Sequence, residues 1–150
     1  MTVTGDQVQR CLDRWQPLLR LADWDIRIEM GPPGWRKSGD VKIDLDDRKA
    51  VLLINKEPRT DNLDELVVHE LLHIKLYALD QMTEGLLEAV YGKEQEDPRR
   101  SFAYGQFMLA LESTVEDLTK GYLAVAGDAG PLSFGRLRRQ VEDEIGRSMP

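Results

Sequence analysis

Two histidines and a glutamate stand in "VVHELLHIKL", residues 67–76, within what reads as the most apolar helix of the chain. His69 and His73 are four apart, so on a helix their side chains leave one face with Cβ atoms about 5–6 Å apart, close enough to grip one metal ion. Glu70 sits one step round. In an HExxH arrangement the imidazoles bind zinc (Zn2+), while the glutamate faces the metal's water as general base. A metal also accounts for the burial, because it compensates polar groups that an apolar helix otherwise strips of water. The plain alternative is a pair of core histidines satisfied by ordinary hydrogen bonds. A capped helix, an apolar surround and a preceding strand pair favour the metal.

His69 and His73 are the only histidines in the chain, so a carboxylate must complete such a site. Glu84, Glu88, Glu94 and Glu96 are sequence candidates, but the first two fall on a short helix after the motif and the others in a polar loop. A better candidate stands in "LESTVEDL" on a later, long helix. With Leu111 at the centre of that helix's apolar stripe, Glu112 lies about 100° round and Glu116 about 140°, with Asp117 on the far side. Glu112 is thus the expected third ligand. Glu116, in the same row, is placed to accept a hydrogen bond from a ligand histidine. The competing reading of this pair is a solvated helix face.

The elements that must hold these residues follow in α+β order. A capping box, Thr4-x-x-Gln7, opens a helix with Val8, Cys11, Leu12, Trp15, Leu18 and Leu19 at helical spacing, bent or interrupted near Pro17. "WDIRIEM" alternates strictly and predicts a half-buried strand ended by "GPPG". Val41, Ile43 and Leu45 alternate before a turn near Asp46-Asp47, and "AVLLIN" follows as the more buried strand of a hairpin. Asp61 or Asn62 caps the motif helix, expected over Leu63–Leu79 at the centre of the domain. "MTEGLLEAVYG" reads as a separate short helix ending at Gly92, and "KEQEDPRR" as an exposed loop. The long helix carries Tyr104, Phe107, Met108, Leu111, Val115, Leu118 and Tyr122 as its stripe. "GDAGP" at 127–131 breaks the chain before an amphipathic helix with Phe134, Leu137, Val141 and Ile145 inward.

At 150 residues the chain fits one domain, residues 1–150, with a single core. The lone Cys11 excludes an internal disulfide and a cysteine zinc site. No leader pattern and no run of about 18–20 apolar residues is present, so the expectation is a soluble, cytoplasmic protein with no membrane partner. A net charge of −7 with scattered Lys and Arg argues against nucleic acid as a partner. The sequence sets no oligomeric state.

"HELLH" followed by "ExxxE" on a later helix, and preceded by "WDIRI" and a hairpin, resembles the gluzincin metallopeptidases. It is most similar to the minimal single-domain gluzincins and the small HExxH proteins of phage and bacterial genomes. The likeness covers roughly residues 20–123, with a longer gap between His73 and Glu112 than in thermolysin-like enzymes. It implies a small zincin-like domain: a short twisted β-sheet, a central HExxH helix and a long glutamate-bearing helix. It also implies a zinc-dependent hydrolase cleaving a protein or peptide substrate, with Glu70 moving the proton and Tyr77, Tyr91, Tyr104 or Arg99 as candidate oxyanion donors. "AVLLIN" or its hairpin partner is the expected sheet edge for an extended substrate.

A different class of function, a non-catalytic zinc-containing module that binds a partner protein, has no need of Glu70. Structural zinc sites are also closed by four protein ligands, for which this chain has no fourth His or Cys. A DNA-associated SprT-like protease predicts basic or zinc-ribbon appendages, and none is present in the sequence.

Overall fold

The computed structural model describes residues 1–126 and 130–149, so residues 127–129 of the expected "GDAGP" break lie outside those described. Thr4 opens α1 (Gly5–Leu18) with the expected capping box, its hydroxyl accepting from the Gln7 amide while the Gln7 side chain accepts from the Thr4 amide. Pro17 falls in the last turn, where a missing N–H ends a helix more than it kinks it. Val8, Leu12 and Trp15 are buried, and the Trp15 indole N–H donates to Asp64 at 2.6 Å.

Strands β1 (Asp25–Gly31), β2 (Gly39–Asp44) and β3 (Lys49–Asn55) form a sheet of order β1-β3-β2. β2 and β3 are the expected antiparallel hairpin, and β1 pairs parallel to β3. β3 is therefore the central strand, with Ala50, Leu52 and Ile54 buried. Its ladder is occupied on both sides, so "AVLLIN" is no edge; β1 and β2 are.

Asn62 caps α2 (Leu63–Tyr91), its side-chain oxygen accepting from the Glu65 amide. The two helices expected between Leu63 and Gly92 are one. No proline interrupts the run, the Thr83 hydroxyl bonds back to the Leu79 carbonyl at 2.8 Å, and α3 supports the continuation by packing alongside. Gly92, at φ 79°, ends it.

Asp97 accepts from the amides of Arg99 and Arg100 and so starts α3 (Pro98–Ala126) inside the stretch expected to be loop. Its buried row is Leu111, Val115, Thr119 and Leu123, spaced by four, with Phe107, Met108 and Tyr122 half-buried beside it. Leu118, expected inward, is 40% exposed because the contact follows the i, i+4 row. Thr119 tolerates burial because its hydroxyl donates to the Val115 carbonyl at 2.7 Å.

The last helix, α4 (Gly135–Ile145), exists as expected but buries no residue. Phe134, Leu137 and Ile145 remain exposed and Val141 half-buried, because polar bonds rather than an apolar face hold this segment down. Among the described residues no helix is long and apolar enough to cross a membrane.

α2 divides into two stability regimes. Val67, Val68, Leu71, Leu72 and Ile74 are buried, whereas Leu79, Met82, Leu86 and Val90 further along are each more than half exposed. Leu71→Ala is expected to lower unfolding free energy by about 2–5 kcal/mol. Leu86→Ala should shift it by no more than about 0.5 kcal/mol. Urea denaturation of both variants measures the contrast, and equal losses would mean that the outer half of α2 belongs to the core.

Candidate metal centre

The same helix that buries Val67 and Leu71 on one side turns His69, Glu70 and His73 towards an open cleft of about 1010 Å³. Edge strand β2 and the loop before it form one wall, α3 another, and residues 132–137 a third. HExxH spacing sets this division, since positions three and four apart share a face while Leu71 and Leu72 between them face inward.

Three donors converge between α2 and α3. His69 Nε2 lies 3.3 Å from His73 Nε2, Glu112 Oε2 3.5 Å from His69 Nε2, and Glu112 Oε1 3.2 Å from His73 Nε2. Zinc bonds of about 2.0–2.1 Å at tetrahedral angles require neighbouring donors about 3.3 Å apart. The donor set therefore fits a metal ion in both type and spacing, and His69, His73 and Glu112 form a group that could hold one. Glu116 takes a different position. Its Oε1 lies 3.1 Å from His69 Nδ1, close enough for its charge to favour a proton on that nitrogen and leave Nε2 for the cluster. None of Glu84, Glu88, Glu94 and Glu96 joins this group or lines the cleft.

The electrostatics divide the site. Burial, reinforced by the neighbouring His73, pushes the His69 pKa down, and Glu116 and Glu112 offset this only in part. Burial also opposes charge on His73, but the hydrogen bond and negative charge of Glu112 outweigh it and push its pKa up. The same hydrogen bond holds the Glu112 carboxyl below its ordinary value. Glu70 is 7% exposed, and burial raises its pKa to about 7, with Asp40 and Glu112 adding to the rise against the pull of His73. A carboxyl poised there can take up and release a proton near neutrality.

Several residues of the site carry no motif signal. Gly39 opens β2 directly against Glu70: a Cβ at this position would stand 2.9 Å from Glu70 Oε1 and 3.0 Å from Leu66 Cδ1. Glycine there lets the edge strand and the carboxylate share the space. Asp40, next along, binds Lys37 and Lys42 at 3.0 and 3.1 Å, which hold its carboxyl below the ordinary range despite burial. Arg136 binds Glu116, and its place within a helix of scattered charge gave no hint of this. Of the candidate oxyanion donors, Tyr77 lines the cleft. Arg99 pairs with Asp97 at 3.7 Å, and Tyr104 lies under the Arg100 guanidinium, 5.7 Å from it.

Compared with known protein families, curated proteins and solved structures, the chain gives no match in any of the three, so a functional reading rests on the residues themselves.

Proposed function

We propose that the protein is a zinc-dependent metallopeptidase, with His69, His73 and Glu112 as metal ligands and Glu70 as general base. The observation that carries the reading is the convergence of two imidazoles and one carboxylate at tetrahedral-edge spacing beside a buried glutamate whose pKa is near 7. Three protein ligands leave a coordination position open, as catalytic zinc sites do and structural ones do not. Zinc bound there supplies a Lewis acid that acidifies water and polarises a carbonyl.

The chain's own residues perform the proton traffic. Glu70 accepts a proton from the attacking water as the oxygen bonds to the amide carbon, and returns it to the leaving nitrogen as the C–N bond breaks. Burial of Glu70, with the charges of Asp40 and Glu112 nearby, keeps its carboxyl basic enough for the first step and acidic enough for the second. Glu116 orients His69 through Nδ1. β2, an edge strand running along the cleft from Gly39, offers unpaired backbone groups to an extended peptide, and Tyr77 is the cleft tyrosine available to a developing oxyanion.

Metal binding is testable apart from turnover. The protein should bind about one zinc per chain. His69→Ala or His73→Ala should abolish tight binding. Glu112→Ala should weaken it much more than Glu116→Ala, whose loss should cost about 10- to 100-fold. Zinc dissociation constants by competition with a chromophoric chelator decide the order. Full occupancy in either histidine variant would refute the site.

Glu70→Gln should retain zinc and fold but lose hydrolysis of a casein or peptide-library substrate. Undiminished turnover would remove Glu70 from the mechanism, whereas an inactive wild type would favour the partner-binding module. The same substitution has a second signature in chelator-treated protein. A carboxyl whose pKa is raised from 4.5 to about 7 on folding opposes folding once the unfolded chain ionises. The penalty is absent below about pH 4.5, grows to about 3 kcal/mol near pH 7 and then levels off. Glu70→Gln should therefore be the more stable protein at pH 8, by up to that amount, with the difference vanishing near pH 4.5. Thermal melts across that range check the sign.

A further inference from the structure

Residues 131–138 lie against the cleft without contributing to the core. The ties to the start of α2 are polar: the Asn62 side-chain amide donates to the Pro131 carbonyl at 2.9 Å, the Asp61 amide to Ser133 Oγ at 3.0 Å, and the Ser133 amide to Glu65 Oε2 at 2.7 Å. Arg138 adds a bond to Asp61 at 2.8 Å. The segment sits so close to the preceding loop that a Cβ at Gly135 would fall 1.6 Å from the Arg59 carbonyl oxygen. Glycine alone fits there. These bonds fix the segment in place, and Arg136 then reaches across to α3, where its Nη2 donates to Oε1 of Glu116. That oxygen is the one facing His69 Nδ1.

We infer that Arg136 is a positioning residue for the metal centre, and that through it the 131–138 segment clamps the site. The inference rests on the metal reading given above. A carboxylate on a helix surface has rotamer freedom, and Glu116 can orient the His69 ring only while its own oxygen is held. Arg136 supplies that hold with a charged donor on the same oxygen, so the tautomer of His69 with Nε2 free is favoured by a relay of two contacts, Arg136 to Glu116 and Glu116 to Nδ1, that begins outside the α2–α3 pair. Arg136 is 74% exposed and α4 buries nothing, so its removal leaves the core intact. The coupling is reciprocal: if a docked segment favours metal, bound metal favours the docked segment.

Two measurements on the full chain test this, with zinc as the probe. Arg136→Ala is expected to weaken zinc binding by roughly three- to tenfold, less than loss of Glu116 itself. Because Arg136 acts through Glu116, it should have no further effect in a Glu116→Ala background. Hydrogen exchange at the Ser133 and Gly135 amides should slow when zinc is added to the wild type, and this slowing should disappear in Arg136→Ala. The inference is overturned, with the metal reading left standing, if the wild type binds zinc through His69 and His73 but Arg136→Ala retains the same affinity and exchange protection. An undiminished Arg136→Ala effect in the Glu116→Ala background also overturns it. A wild type that binds no zinc overturns both.

Discussion

The structure turns on the two-sidedness of α2 between Leu66 and Ile74. One side must be apolar enough to close the core against α1 and the sheet, and the other must place two imidazoles and a carboxyl where water is scarce. Polar groups in such a place need partners, and α3 provides them: Glu112 against both Nε2 atoms and Glu116 against Nδ1 of His69. β2 closes in from the other side, and glycine at its first residue lets it come up against Glu70. The sheet, the helix pair and the strap each meet the requirements of this one stretch of helix.

The same burial sets the protonation of the site at the expense of fold stability. Glu70 in water would ionise well below neutrality. Here, removal from water brings its protonation to about pH 7, and Asp40 and Glu112 push in the same direction. His73 and Glu112 satisfy each other through their hydrogen bond, a pairing that keeps the carboxylate charged.

Much of this was legible in the sequence because the signals were local. The four-residue spacing of His69 and His73, the alternation of "WDIRIEM", the Thr4 box and the position of Glu112 beside an apolar stripe each depend on neighbours along one element. The features that escaped depend on distant partners. The parallel pairing of β1 with β3 is set by the sheet as a whole, which is why the sequence leaves "AVLLIN" beside its hairpin partner as a candidate edge. The sequence has the motif helix stop at Leu79 and a separate helix follow, and only the packing of α3 makes the run continuous. The inward face expected of α4 failed for the opposite reason: an amphipathic pattern was present, but polar ties to Asp61, Asn62 and Glu65 hold the segment without burying it. Hydrophobic periodicity has no means of reporting a contact such as Arg136 on Glu116.

The long gap between His73 and Glu112 is a property of an arm, not of the site. After His73, α2 runs outward to Tyr91, about 27 Å at 1.5 Å per residue, and α3 returns from Pro98 to Glu112 over about 21 Å. Outside the core the two helices pack chiefly on one another, with Leu79, Met82, Leu86 and Val90 left largely bare. Separation along the chain is thus a measure of hairpin length, and that length is geometrically free. Removing about seven residues, roughly two turns, from each helix would return Glu112 to the same azimuth opposite the same histidines. Chains with very different intervals between the histidines and the glutamate can therefore build one and the same centre, and the interval is a poor ruler of kinship among them.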